Sequence, residues 1–597
     1  MQGTSTEGRG AYVWLVLALV LFVVGAERHL RALPVWEGPD EPGHYDYACR
    51  LADTGERPWI MGSTDGSSAT VWDQTSMAHH PWLYYRVLGA LAATVGDGLP
   101  TGSYAANPTD PTLNAVHGHD EVAPRSPEVC LFDRLRRFSI LCGALSLVLV
   151  FATGRVLAPG SPAIAAGGAF GLAALPQWQH SHAVLDNGAL ATTLCFGAVA
   201  LLAVLWRDAG RRFARAGTDA SAATYGTVGW SAALGLGALC GLAILCKLTS
   251  LFLLPLSLLV ALRVVAASER RGAALLRCLA AVAVVAAITG PFFAENVARY
   301  GDLTASAAHE KAYAASLVPP EFRDLYLFGL HPQSFLPSFA RNLVGNFGWN
   351  AAAAPIATMW GFAALLAVGL LGWVVGRERR WALLPVLAPV VVLVFVQVAL
   401  YNRTFHQPQG RYFFPGVGAL ALVLAGGCAA LGSRLPRTVA RGAGALLAAV
   451  LAFDALRIAF VVVPPVFAFE PTDDPFRSVL TSGVGEPSTP PLVLLEPADG
   501  AELVDAPIFR FEVPADAPKD ALHTLELWRG DGLYLGGTFE KMDDRSFTGD
   551  ATPFPPALWP GLAPGTYRWQ IRRVPNRVER ESGRDVESSE VRTFVKK

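Results

Sequence analysis

Charge is what this sequence has least of. Only 16% of its 597 residues are Asp, Glu, Lys or Arg, against 52% hydrophobic, whereas an average soluble domain carries about 25% charged residues. That shortage, joined to long apolar runs, points to lipid as the solvent for most of the chain. Long basic blocks and nucleic-acid motifs are also lacking, and the net charge is -1, so a nucleic-acid partner is set aside. The eight cysteines show no Cys-x-x-Cys metal spacing. Cys142, Cys195, Cys240, Cys246, Cys278 and Cys428 fall inside apolar runs and read as small buried hydrophobes. Cys49 and Cys130 share one polar stretch; an oxidising outer compartment would allow them a disulfide, and two free thiols are the alternative. After the first apolar run, Ala11 to Gly25, the residues Ala26-Glu27-Arg28-His29 lack a small-x-small cleavage site. The run therefore reads as an uncleaved helix rather than a signal peptide. No internal repeat or low-complexity tract stands out.

What is present is a series of apolar segments of spanning length. About eleven transmembrane helices are expected, near 11–26, 137–157, 163–181, 185–206, 228–246, 248–266, 273–293, 352–376, 381–400, 412–431 and 442–463. The segment Trp82 to Val95 is apolar but short, and reads as an interfacial or re-entrant helix. With the N-terminus placed in the cytoplasm, every short inner connection is basic, for example Arg207, Arg211, Arg212 and Arg215, then Arg377, Arg379 and Arg380. This is the positive-inside pattern. Two long loops, about 27–136 and 294–351, the short loop Tyr401 to Arg411 and the C-terminal tail then face outward. Loops on a rigid scaffold are where function concentrates.

The composition changes after Phe469. Ile508 to Val513, Thr524 to Trp528 and Thr566 to Ile571 alternate as strands do, and Pro497-Ala498-Asp499-Gly500 and Ala563-Pro564-Gly565 read as turns. The expected organisation is a membrane domain over 1–468, a linker over 469–490, and a C-terminal β-sandwich of fibronectin or immunoglobulin type over 491–597. Trp528, Tyr534 and Trp559 could be core residues or platforms for sugar rings.

Several polar groups sit where a membrane chain can ill accommodate them. Pro39-Asp40-Glu41-Pro42-Gly43-His44 opens the first outer loop. Its paired carboxylates either favour a helix N-terminus or supply a general base. His79-His80-Pro81-Trp82-Leu83-Tyr84-Tyr85 reads as an interfacial segment with aromatic anchors, and metal ligation by the two histidines is the sharper alternative. Lys247 stands between two apolar runs; a charge there is a functional candidate or a lysine snorkelling from a helix end. Arg411, in Gln409-Gly410-Arg411-Tyr412, is an outer arginine against the statistical trend, for which a phosphate would give a reason. Asp454 with Arg457, and Glu295 with Arg299, are spaced as structural ion pairs. Asp186-Asn187 either caps a helix or lines the cavity.

An Asp-Glu pair after the first helix, a Pro-x-Leu-Tyr-Tyr stretch, a Lys-Leu-Thr segment and a Gln-Gly-Arg-Tyr-x-x-Pro loop occur here in that order. The set resembles the GT-C superfamily of membrane glycosyltransferases, in the branch of the protein mannosyltransferases and lipid A aminoarabinose transferases (glycosyltransferase family 39-like), over roughly residues 10–465. The resemblance implies a sugar donor carried on polyprenyl phosphate, transferred at the outer membrane face to a glycan, lipid or protein acceptor. It implies a catalytic acid at Asp40 with Glu41 beside it, and Lys247 and Arg411 as the cations that hold the carrier phosphate; His44, Gln409 and Tyr412, close to these in sequence, are candidate substrate-binding residues with them. Two features depart from the resemblance: His79-His80-Pro81 stands where Lys-Pro-Pro is common, and the chain carries its own C-terminal β domain. No cofactor is fixed by the pattern. Asp40, Glu41 and His44 leave a divalent metal open without marking a tight site. A transporter or flippase of lipid-linked glycans is the rival reading, although the duplicated halves common in transporters are not evident.

Overall fold

The computed structural model describes residues 3–60, 74–95, 117, 121–122, 125–216, 229–313, 316–318, 320, 323–349, 351–377, 380–469, 493–505, 507–512, 522–529, 533–534, 551–553, 564–574, 587–588 and 592–597. Their contacts divide them into two compact units, one built mainly from the helices up to Phe469 and one mainly from the strands beyond it.

The helical unit runs α1 (Gly3–Ala32), α2 (Glu41–Thr54), α3 (Leu83–Val95), α4 (Pro127–Leu157), α5 (Pro162–Ala173), α6 (Pro176–Ser181), α7 (Asn187–Ala216), α8 (Trp230–Cys246) and α9 (Leu253–Ala266). It continues through α10 (Arg271–Tyr300), α11 (Ser306–Ala312), α12 (Arg323–Phe328), α13 (Phe335–Val344), α14 (Ile356–Val375), α15 (Leu384–Thr404), α16 (Phe414–Gly432), α17 (Arg437–Arg457) and α18 (Val463–Val466). Among the described residues, nine helical stretches are long and apolar enough to cross a membrane, and two shorter apolar helices, α5 and α8, stand where the other two spans are expected. The chain is thus a multi-pass membrane protein. Trp82 to Val95 is helical over α3.

Several boundaries differ from expectation for local reasons. The segment 163–181 is broken rather than continuous, because Pro176 lacks an N–H and pushes Leu175 to an extended conformation (φ -75, ψ 115). The expected start at 137 lies ten residues too late: α4 begins at Pro127, capped by Ser126, whose hydroxyl accepts the Val129 N–H at 3.2 Å. Much of the first long loop is therefore helix. Cys49 on α2 and Cys130 on α4 are not joined by a disulfide.

Helix packing in the bundle uses small residues. A Cβ added at Gly372 on α14 would lie 1.9 Å from the Gly427 carbonyl oxygen on α16, and one at Gly427 would lie 1.8 Å from the Gly369 carbonyl. The two backbones touch directly, as small-residue contacts in membranes permit.

Two short strand pairs lie between helices: β1 (Trp59–Ile60) beside β2 (Gln74–Thr75), parallel, and β3 (Asn346–Phe347) with β4 (Ala352–Ala353), antiparallel. The second unit contains β5 (Val493–Glu496), β6 (Ala501–Leu503), β7 (Ile508–Glu512), β8 (Leu522–Arg529), β9 (Leu533–Tyr534), β10 (Ala551–Pro553), β11 (Gly565–Val574), β12 (Glu587–Ser588) and β13 (Arg592–Lys596). One sheet is ordered β10-β7-β5 and the other β6-β13-β11-β8-β9, with β12 on β11. The sheets meet face to face: buried Phe509 of β7 packs 4.7 Å from Trp569 of β11 and 6.2 Å from Phe594 of β13. The expected strands at 508–513, 524–528 and 566–571 correspond to β7, β8 and β11. The turn at Asp499-Gly500 is held by Thr593, whose N–H and hydroxyl both donate to Asp499 Oδ1 at 2.7 Å. The linker beyond Phe469, Trp559, and the side chains of Trp528 and Tyr534 lie outside the described residues.

Candidate active site

Asp40 stands at the N-cap of α2 with φ 66 and ψ 5. An aspartate in this left-handed region is uncommon, and such positions cost about 1–3 kcal/mol, so they persist only where the surroundings impose them. Here the surroundings are Glu41 and Arg136. Glu41 is fully buried and accepts two hydrogen bonds from Arg136, from Nε at 2.8 Å and Nη2 at 2.6 Å. It also accepts the Leu185 N–H at 2.8 Å and the Gly38 N–H at 3.0 Å. Arg136, itself fully buried on α4, donates further to the carbonyls of Leu33 and Pro34, both at 2.8 Å. The turn from α1 into α2 is thus clamped, and Asp40 is directed away from the clamp.

Arg411 lies on the single turn Gly410–Phe413 that leads into α16. Gly410 is required by close approach: a Cβ there would lie 2.3 Å from the Leu343 backbone nitrogen on α13. The guanidinium pairs with Asp40 through Nη2 and with Asp186 through Nη1 at 2.9 Å. It donates to the Pro39 carbonyl at 3.2 Å, and its Nε to Gln409 Oε1 at 2.6 Å. Lys247, between α8 and α9, reaches Asp186 Oδ1 at 3.2 Å. Tyr412 lies beside both cations, its ring centroid 5.5 Å from Lys247 Nζ and 5.8 Å from Arg411 Cζ. Two carboxylates and two cations from four separate parts of the chain form one neutral, largely buried network. Burial alone would push the Asp186 carboxyl up, but Lys247 and Arg411 outweigh it and hold that group well below the usual carboxylate range. Burial lowers the Lys247 ammonium from its ordinary value against the opposing pull of Asp186.

Histidines line one side. His44 Nδ1 lies 2.9 Å from the Tyr85 hydroxyl, and the ring is stacked at 5.8 Å on His80. His80 touches His79 at 3.9 Å between ring centres, and His79 touches His309 of α11 at 4.1 Å. Burial pushes His44 down to about 4, within the field of Asp186, Asp40, Lys247 and Arg411, so it is neutral at pH 7.

Asp40, His44, Lys247, Gln409, Arg411 and Tyr412 are therefore gathered in one place. Glu41 is adjacent in sequence but is turned into the clamp. Asp40, Glu41 and His44 do not share a cation position, since Glu41 is taken by Arg136 and two backbone N–H groups, and His44 Nδ1 meets Tyr85. Among the described residues, no group of three or more His, Cys, Asp or Glu side chains is placed to hold a metal ion. Lys247 does not snorkel; it is buried against Asp186. Asp186 fills both roles open to it, accepting the Gly188 N–H at 2.6 Å at the start of α7 and joining the charged network. Arg136 was not legible as a site residue. Its place in the first long loop, which the positive-inside reading expects to face outward, is the signal that could have found it, as it singled out Arg411.

No family model matches the sequence, and no curated protein matches it. Among solved structures, the chain is similar to ArnT from Cupriavidus metallidurans bound to undecaprenyl phosphate, with 16% identity, a TM-score of 0.39, and coverage of 76% of this chain and 73% of that one. It is similar to the archaeal oligosaccharyltransferase AglB from Archaeoglobus fulgidus in complex with an inhibitory peptide and a dolichol-phosphate, with 15% identity, a TM-score of 0.39, and coverage of 76% and 56%. It is also similar to the S. cerevisiae protein O-mannosyltransferase Pmt1-Pmt2 complex bound to the sugar donor, with 16% identity, a TM-score of 0.30, and coverage of 52% and 36%. All three are GT-C superfamily members. At these scores the functional reading rests on the chain's own side chains.

Proposed function

We propose that this protein is a membrane glycosyltransferase that moves a sugar from a polyprenyl-phosphate carrier to a hydroxyl-bearing acceptor. The observation that carries the reading is Arg411 bridging Asp40 and Asp186, with Lys247 on Asp186, in a buried site at the ends of spanning helices. A guanidinium and an ammonium side by side suit a phosphate. The two carboxylates occupy those cations in the resting arrangement. A donor phosphate competing for Arg411 would release Asp40 at the moment a base is needed, which couples donor binding to activation of the acceptor.

In the reaction, the acceptor oxygen bonds to the anomeric carbon as the bond from that carbon to the phosphate oxygen breaks. The hydroxyl proton passes to Asp40, and the lipid phosphate leaves with one more negative charge. Arg411 and Lys247 are fixed where that charge develops and stabilise it without reorganising. A single displacement of this kind inverts the anomeric centre. Glu41 acts as a positioning residue, holding Asp40 at its unusual backbone angle.

Transfer of labelled sugar from a polyprenyl-phosphate donor by the purified protein tests the reading. Asp40→Asn is expected to lower turnover by about 10²-fold or more, in line with the loss of a general base. Arg411→Ala is expected to raise the KM for donor as well. Wild-type turnover in Asp40→Asn would remove the base assignment, and a wild type inert toward every such donor would favour a carrier of lipid-linked glycans.

A further inference from the structure

At the end of the bundle that carries Arg411, the short helix α12 turns large apolar side chains outward. Leu325, Phe328 and Leu330 are 69%, 71% and 86% exposed. Leu325 and Phe328 stand three residues apart and so share one face of the helix, and Leu330 follows just after its end. Contiguous apolar exposure of this kind marks a contact surface.

The display is held in place. The opposite face of α12 is fixed by buried Tyr326, whose hydroxyl donates to Asn402 Oδ1 of α15 at 3.1 Å and whose ring centre lies 4.9 Å from that of His406. The turn after the helix is closed by hydrogen bonds. The Gly329 N–H donates to the Leu325 carbonyl at 2.9 Å and the Ser334 N–H to the His331 carbonyl at 2.8 Å. Ser338 Oγ donates to the Pro332 carbonyl at 2.8 Å.

What covers this face follows from α15. That helix belongs to the stretch Trp381–Thr404, long and apolar enough to span. Val392, Val396 and Leu400 are exposed along it, and their spacing of four residues places them on one stripe. On a spanning helix such a stripe faces hydrocarbon. Arg403, three residues after Leu400, continues the stripe and pairs with Asp324 of α12 at 3.9 Å. The helix α12 therefore begins where the lipid-facing stripe ends, and Leu325 is the residue after Asp324. Beyond it, α13 packs against both α12 and α14. Trp360, one turn into α14, is exposed, as aromatic residues are at a membrane boundary. The apolar face of α12 is thus continuous with the lipid-facing surface of the bundle.

We propose that Leu325, Phe328 and Leu330 are seated among the phospholipid acyl chains of the leaflet at the Arg411 end, so that α12 anchors the segment before Arg411 to the membrane. Interfacial helices bind in this way, through one apolar face. The anchor reaches the site through the chain itself. His406, packed on Tyr326, precedes Gln407, whose Oε1 accepts from the hydroxyls of Tyr401 at 3.2 Å and Tyr412 at 2.7 Å. The inference does not rest on the sugar-transfer reading, because it uses only apolar exposure and the packing of α12 on α15.

Photo-crosslinking of the purified full-length chain in phosphatidylcholine nanodiscs tests it. The crosslinker p-benzoylphenylalanine replaces one residue at a time: Phe328, Leu400 as the lipid-facing standard, and Gln333, exposed on the adjoining turn, as the polar standard. Mass spectrometry after irradiation is expected to find phospholipid adducts at 328 and 400 and their loss at 333. Absence of a lipid adduct at 328, equal adducts at 328 and 333, or crosslinks from 328 to this chain or to a second copy would each overturn the proposal. So would an adduct at 328 that forms only when a polyprenyl phosphate is added, since the face would then belong to the donor's chain. The double variant Phe328→Ser, Leu330→Ser supplies a second readout, and since both side chains are exposed the fold should survive. Its gain in thermal midpoint on transfer from detergent to nanodiscs is expected to be smaller than that of the wild type; an undiminished gain would show that α12 is not an anchor.

Discussion

Glu41 and Asp40 are neighbours in sequence and opposites in circumstance. Asp40 is partly exposed at the site and pairs with Arg411, while Glu41 is sealed inside with Arg136. Substitution should separate the two roles. Glu41→Gln removes one partner of a buried ion pair and leaves the Arg136 charge uncompensated, a change that typically costs about 3–5 kcal/mol. The expected result is a clear fall in the thermal midpoint of the purified protein. Glu41→Gln at the wild-type midpoint would show that the clamp contributes little. Asp40→Asn breaks a pair at the rim of the network and should leave the midpoint nearly unchanged, so melting curves and turnover report on different members of one dipeptide.

At the level of elements, α14 and α16 cross with their backbones in direct contact. The carbonyl of Gly427 leaves no space for a side chain at Gly372, so a substitution there must force the helices apart. Loss of close backbone contact in a membrane removes packing for which lipid offers no hydrophobic compensation. Gly372→Val is therefore expected to reduce the yield of monodisperse protein in detergent and to lower its thermal midpoint. Gly361, on the same helix with nothing within 4 Å of an added Cβ, is the control: Gly361→Val should be tolerated. Equal behaviour of the two variants would remove the close-packing explanation. The short helices teach the complementary lesson. The segment 163–181 is expected as one span, and a single proline, Pro176, divides it into the apolar α5 and the short, polar α6.

The whole molecule carries several neutral, buried imidazoles, and that has a consequence for its response to acid. Burial pushes His44 and His309 down to about 4 from an ordinary 6.5, and lowers His80 well below that value. Between about pH 6.5 and pH 4 the unfolded chain binds protons at these positions and the folded chain does not, so stability falls as the pH is lowered through that window. Asp186 behaves differently. Its folded carboxyl is held below the ordinary value of 3.8, so its contribution is complete above that pH and is lost only as the pH falls below it. The expected outcome is a thermal midpoint that is steady near pH 7 and declines from about pH 6.5 downward at constant ionic strength. His309→Asn should shallow the decline. A midpoint that stays level between pH 6.5 and 5 would contradict this account.

By itself the sequence determined that most of this chain lives in lipid, where its apolar runs fall, and that strands follow Phe469; it marked Asp40, Lys247 and Arg411 as candidates with structural alternatives beside them. Those conclusions rest on local quantities: hydropathy over a window, the sign of charge beside a span, the alternation of a strand. The orientation read from the arginines is of the same local kind. What only the tertiary structure decided is which charges meet. Arg411 reaches Asp40 across 371 positions and Asp186 across 225, and Arg136 reaches Glu41 across 95. In a low-dielectric interior each buried charge must find its counterpart, but sequence distance carries no information about which counterpart that is. The close approach of helix backbones, through which residues such as Gly410 and Gly372 act, is what settles the pairing.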